Sequence, residues 1–126
     1  LSGQQVLRLI VEDEPAFCKV GRLSLETHGY RVLTAQDGME AIALLAEHKS
    51  DIGCILIDMM MPNMGGVKAI PILQRLSPDV PIVTMTGSIT PLAKSNMAQL
   101  SSHGSLVKPF TTQCLLSRLQ GVLHPQ

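Results

Sequence analysis

Three carboxylates, one hydroxyl and one ammonium stand where this chain passes from apolar runs into loops. Glu12 and Asp13 follow Val6–Val11. Asp58 follows Ile55-Leu56-Ile57, Thr86 follows Pro81–Met85, and Lys108 follows Ser105–Val107. Each alone has an ordinary explanation. Glu12-Asp13-Glu14 before Pro15 suits a solvated loop feeding a helix N-terminus, and a lone acid after a strand is commonly a cap or loop residue. Brought to one edge, they form a coherent set. Crowded carboxylates repel one another and hold protons more tightly unless a cation sits among them. A hard divalent ion with oxygen ligands neutralises them, and Mg²⁺ (or Mn²⁺) suits a few carboxylates plus water. Beside such an ion, the Lys108 ammonium and the Thr86 hydroxyl offer the charge and the donor that phosphoryl oxygens need. Asp58 in the middle is then placed to act as a nucleophile and form an aspartyl-phosphate.

The elements that would bring these residues together are legible. Ile55-Leu56-Ile57 has no polar interruption and reads as a strand buried on both faces, as in a parallel sheet. Val6–Val11, apolar except for Arg8, reads as the first strand. A helix with Ala16, Phe17, Val20 and Leu23 at helical spacing runs to His28 and stops at Gly29. Arg31–Ala35 is a second strand, and Asp37 with Glu40 resembles a capping box ahead of Ala41, Ile42, Leu45 and Ala46. Val67–Leu76 reads as a helix that Pro71 should kink or delay. Pro81–Met85 is the fourth strand. Thr90-Pro91 opens a helix with a thin apolar stripe of Leu92, Ala93, Met97 and Leu100. Ser105–Val107 is the fifth strand, and Thr111 or Thr112 caps a last helix carrying Leu115, Leu116, Leu119, Val122 and Leu123. Strand and helix alternate five times. The expected fold is a doubly wound, five-stranded parallel α/β sheet in the order 2-1-3-4-5, with its ligand edge at the C-terminal strand ends. Lys108 is expected at the exposed edge of that sheet.

Composition narrows the function classes. The 126 residues suit one domain spanning 1–126 with its own aliphatic core, since 45% are hydrophobic and there is no Trp. Ten basic residues balance ten acidic ones, so no surplus points to nucleic acid or a membrane surface. No stretch approaches a membrane span and no signal peptide is visible, which reads as cytoplasmic. Cys18, Cys54 and Cys114 lack metal spacing and read as buried or incidental thiols.

Val11-Glu12-Asp13-Glu14, Asp58-Met59-Met60-Met61-Pro62-Asn63-Met64-Gly65-Gly66, Thr86-Gly87 and Lys108-Pro109-Phe110 together resemble a response-regulator receiver domain, the CheY-like (flavodoxin-like, (βα)5) family of two-component signalling. The resemblance covers essentially the whole chain. It implies that Asp58 is the phosphoacceptor and takes its phosphoryl group from the phosphohistidine of a histidine kinase or histidine phosphotransfer domain. It further implies that Asp13, Asp58 and the Met60 carbonyl bind Mg²⁺ directly, with Glu12 acting through water. Thr86 and Lys108 would bind the phosphoryl oxygens. Two positions depart from the family pattern. Glu12 stands where an aspartate is frequent, and Ser105 stands where the family usually has Tyr or Phe, three residues before the lysine. Without that ring, phosphorylation is expected to move the segment from Thr86 to Leu100 and leave Ser105 nearly still. The Thr86-Gly87-Ser88 loop and the Lys108-Pro109-Phe110-Thr111 ending look most like the C-terminal receiver of a hybrid sensor histidine kinase.

Other readings fit the residues less well. A flavodoxin-like binding module wants hydroxyls and glycines after the first strand, where this chain has three acids. A Mg-dependent aspartyl-phosphate phosphatase of the haloacid-dehalogenase type needs a second Asp two residues after the nucleophile, where this chain has Met60. A receiver that had lost its chemistry would lack a site residue, and none is missing. His28 and His103 suit helix ends, and Met59, Met60 and Met61 suit core and loop packing better than a soft-metal box.

Overall fold

The computed structural model describes residues 7–61, 63–87, 104–108 and 110–123. Five parallel strands form one sheet: β1 (Leu7–Val11), β2 (Arg31–Ala35), β3 (Ile52–Asp58), β4 (Ile82–Thr86) and β5 (Gly104–Val107). Their order is β2-β1-β3-β4-β5, as the alternation of elements predicts. The described helices are α1 (Pro15–Thr27), α2 (Gly38–Glu47), α3 (Gly66–Leu76) and α4 (Thr112–Leu123). The helix expected after Thr90-Pro91 lies outside the described residues. So does the movement expected between Ser88 and Leu100, together with the Ser105 side chain on which that expectation turns.

The period-2 alternation of the strands divides the core into two layers. Leu7, Leu9, Val11, Ile55, Ile57 and Ile82 pack on the α2–α3 side. Ile10, Cys54, Leu56, Val83 and Met85 pack on the other side with Leu25, Leu115 and Leu119. Both faces of β1 and β3 are therefore covered, which is why their sequences read as unbroken apolar runs. Arg8 is the exception inside β1. It is 4% exposed, and its guanidinium lies 4.5 Å from the centre of the Tyr30 ring, an amphipathic side chain that covers the charge.

Local signals set the boundaries. Pro15 occupies the first turn of α1, and Gly29 closes it with φ +92°, a value that favours glycine. The capping box of α2 is real. The Asp37 carboxylate accepts the Glu40 N–H at 2.9 Å, and the Glu40 carboxylate accepts the Gln36 N–H at 2.7 Å. Thr111, rather than Thr112, caps α4 by accepting the Cys114 N–H at 3.1 Å. Pro71 does not delay α3, which begins at Gly66. The proline is exposed, and the stripe of Ala69, Ile70 and Leu73 buried against the sheet outweighs the one backbone donor lost. β3 begins at Ile52, earlier than the apolar triplet suggests.

The loop after β3 is held against the start of α2. The Gly38 N–H donates to the Met64 carbonyl at 2.7 Å. A Cβ on Gly38 would lie 2.7 Å from Met64 Cγ, 2.8 Å from Ala69 Cβ and 2.9 Å from the Met64 carbonyl oxygen. Gly38→Ala is therefore expected to destabilise the fold by about 1–3 kcal/mol, because overpacking exceeds the helix-propensity gain. Urea denaturation checks this, and an unchanged or raised midpoint would contradict the close approach.

Candidate functional site

The strand order makes β1 and β3 neighbours whose chains then leave in opposite directions, β1 toward β2 and β3 toward β4. A crevice opens at such a switch point, outside the C-terminal strand ends. Glu12 and Asp13 lie on one side of it and Asp58 on the other. The Glu12 N–H donates to the Ala35 carbonyl at 2.9 Å, fixing the end of β1 against β2. The Met59 N–H donates to the Met85 carbonyl at 2.9 Å, fixing the end of β3 against β4.

The side chains then converge. Glu12 is fully buried, and its Oε2 accepts the Glu14 N–H at 3.1 Å. The Asp58 carboxylate is 6% exposed, and its Oδ1 accepts the Met60 N–H at 2.9 Å. Lys108 spans the two: its Nζ donates to Asp58 Oδ2 at 2.8 Å and to Glu12 Oε1, with Glu14 3.6 Å away. The Lys108 N–H donates to the Thr86 carbonyl at 2.7 Å, which ties the end of β5 to the end of β4. Thr86 is buried and lies one residue beyond Met85, the residue paired with Asp58 across β3 and β4.

The structure thus brings together Glu12, Asp13, Asp58 and Lys108, and sets Thr86 at the adjoining strand end. It corrects the expectation for Lys108. The side chain is only 13% exposed and is enclosed by partners, so it is not a free group on an open edge. The Met60 side chain is exposed, while Met59 belongs to the core. Sequence reasoning missed Phe17 as part of the site. Its ring lies 4.3 Å from Lys108 Nζ and meets the Phe110 ring edge-on at 5.4 Å. The available signal was its place one helical turn beyond Asp13, but its apolar character pointed only to packing.

Electrostatics follow from burial. Loss of water pushes the Glu12 carboxyl up from 4.5 to about 7, against the pull of the Lys108 ammonium and the Glu14 N–H. Burial acts to lower Lys108, yet its hydrogen bonds to Asp58 and Glu12 and their charges together raise it, so the ammonium stays charged. One oxygen from each of Glu12, Asp13 and Asp58 lies within 4.8 Å of the others. An all-oxygen, acidic donor set of this size fits a hard divalent cation such as Mg²⁺ and suits no soft metal.

The family described as "response regulator receiver domain" matches residues 9–120. The chain belongs to that family. The receiver is 36% identical over 103 residues to the transcription factor SKN7 of Chaetomium thermophilum, covering 82% of this chain and 14% of that protein. It is 29% identical over 126 residues to the sensor kinase CckA of Brucella abortus, covering all of this chain and 13% of that one. The chain therefore spans a small part of both relatives. Among solved structures it resembles the chemotaxis protein CheY4 of Vibrio cholerae, with a TM-score of 0.85 and 31% identity over 94% of this chain and 99% of that one. The domain is a signalling module of two-component systems. No helix among the described residues is long and apolar enough to cross a membrane.

Proposed function

We propose that residues 1–126 form one receiver domain in which Asp58 accepts a phosphoryl group from the phosphohistidine of a histidine kinase or histidine phosphotransfer domain. The observation that carries this is the Lys108 ammonium bridging Asp58 and the buried Glu12, with Asp13 alongside. An Asp58 oxygen attacks phosphorus, the P–N bond breaks, and the imidazole leaves with the electron pair and takes up a proton. Asp13, Asp58 and the Met60 carbonyl would hold Mg²⁺, with Glu12 acting through water. When bound, the ion neutralises charge on the phosphoryl oxygens. Lys108 is already in place to pair with those oxygens, and the Thr86 hydroxyl can donate to another. This makes the domain a phosphoacceptor that assists its own phosphorylation and dephosphorylation, rather than an enzyme acting on a separate substrate. The balanced net charge fits a protein partner better than nucleic acid. The Thr86-Gly87-Ser88 and Lys108-Pro109-Phe110-Thr111 stretches suit, as an alternative subtype, a receiver at the C-terminus of a hybrid histidine kinase. The similarities to a transcription factor and to a sensor kinase are compatible with either a regulator or a hybrid kinase. Acetyl phosphate with Mg²⁺ is expected to add one phosphoryl group by intact mass, and chelation of the metal should prevent it. No addition under saturating donor and Mg²⁺ would reject the reading.

The two acids at the end of β1 are expected to differ. Asp13→Asn removes a direct ligand and should weaken Mg²⁺ binding about tenfold or more, while Glu12→Gln should weaken it less. Because Glu12 holds its proton up to about pH 7, Mg²⁺ affinity should rise between pH 6 and 8 as that proton leaves. The rise should vanish in Glu12→Gln. Calorimetric titrations of the three proteins check both points, and a larger loss for Glu12→Gln would reverse the roles.

A further inference from the structure

We infer that Phe17 is a positioning residue for Lys108, holding its ammonium at the strand-end site so that it is delivered to the phosphoryl oxygens on Asp58. This rests on the reading of Lys108 as the cation that binds those oxygens. Three observations carry it. The Phe17 ring lies 4.3 Å from Lys108 Nζ, within the range of a cation–π contact. Phe110, two residues after the lysine, packs edge-on against the same ring at 5.4 Å with an interplanar angle of 86°. Lys108 and Phe110, both just beyond β5, therefore meet the same ring, and the edge-on pair is a favoured aromatic geometry. The same ammonium also meets Glu12 and Asp58, with Glu14 3.6 Å away.

The chemistry explains why a ring is suited to this place. A lysine ammonium is a flexible point charge with three donors. Carboxylates Glu12 and Asp58 take two of them, and the exposed Glu14 carboxylate lies farther off at 3.6 Å. A ring face attracts the cation and excludes water without being a strong acceptor. It fixes where the ammonium sits while leaving its donors for the oxygens of the site. A further carboxylate in the same position would compete with the phosphoryl group for the cation. An aliphatic residue would exclude water but would supply no attraction.

The test compares the whole chain with Phe17→Leu and Phe17→Tyr, and reads three quantities. Thermal melting reports folding. NMR reports the Lys108 ε-methylene protons, which a ring face shifts upfield. Intact mass reports the initial rate of labelling by acetyl phosphate at saturating Mg²⁺. In Phe17→Leu the upfield shift should disappear and labelling should slow by about three- to tenfold, the range set by a partly desolvated cation–π contact. Phe17→Tyr should restore both. Phe17→Met replaces the leucine variant if that one fails to fold. Labelling of Phe17→Leu at the original rate, or equal slowing in the leucine and tyrosine variants, would overturn the proposal. Failure of the parent chain to label would instead reject the receiver chemistry and with it any delivery role for Phe17. The NMR shift would still tell whether the ring holds the ammonium.

Discussion

Asp58→Asn is expected to abolish phosphoryl incorporation while the domain stays folded. The asparagine oxygen can keep the place of Asp58 Oδ1 and accept the Met60 N–H, so the turn after β3 retains its hydrogen bond. What disappears is the anionic oxygen that would attack phosphorus. An amide oxygen is a far weaker nucleophile, and any covalent product would carry charge that the site is not built to hold. The electrostatic consequences partly cancel. The amide NH2 then stands where Oδ2 accepted from Lys108 at 2.8 Å, so the ammonium must turn away from it toward Glu12, but Glu12 no longer faces a second carboxylate across the crevice. Buried Glu12 still pairs with Lys108, so the remaining charges balance. A melting temperature within a few degrees of the parent chain is expected, because about 1 kcal/mol moves a domain of this size by only a few degrees. Intact mass after incubation with acetyl phosphate and Mg²⁺ decides the matter. Unchanged incorporation would move the phosphoacceptor elsewhere in the chain.

Much of this site is legible in the sequence, and the reason is physical. A parallel strand buried on both faces needs an unbroken apolar run, so the first polar residue after that run marks the open edge of the sheet. Asp58 after Ile55-Leu56-Ile57 and Glu12 after Leu9-Ile10-Val11 announce themselves in this way. Gly29 and the Asp37–Glu40 box act over a few residues, and local signals of that kind survive folding. The surroundings of Lys108 did not show. Its partners Glu12 and Asp58 lie 96 and 50 residues away in sequence, and nothing local says that both carboxylates turn toward one ammonium. Placing Lys108 at the sheet edge was right, but treating that edge as solvent-exposed was not. Phe17 was similarly half legible. The helical stripe read as Ala16, Phe17, Val20 and Leu23 is the wrong face: Ala16, Val20 and Leu23 are exposed, and α1 packs through Phe17, Gly21 and Leu25, while the cation beside Phe17 comes from the opposite end of the chain. Pro71 was read for what it removes and not for what surrounds it, and the buried stripe of α3 carries the helix through.

Enclosure of Lys108 changes what its removal should do. On an open edge, Lys108→Ala would impair the response to phosphorylation and leave stability nearly unchanged. In this structure the variant leaves Glu12 and Asp58 facing each other, with the Glu12 side chain fully buried and the Asp58 side chain nearly so. Stranding one member of a well-buried ion pair costs about 3–5 kcal/mol, and Glu12 can escape part of that cost by taking up a proton. The loss must therefore depend on pH, with a definite sign. Glu12 already titrates near 7 against 4.5 for the ordinary carboxyl, and the lysine is one of the groups holding it down. Without the lysine its folded-state value rises further. A carboxyl raised in the folded state gives its stability at low pH, and that contribution drains away as pH climbs from the unfolded value through the folded one. Lys108→Ala should accordingly lose about 2–3 kcal/mol at pH 8 and about 1 kcal/mol or less at pH 5. Urea denaturation at the two pH values measures this. Saturating Mg²⁺ at pH 8 should recover most of the loss, since a divalent cation among the three carboxylates replaces the missing charge and binds only the folded state. Equal losses at both pH values, or a loss that Mg²⁺ leaves untouched, would show that Lys108 supports the fold through packing against Phe17 and not through the charges it bridges.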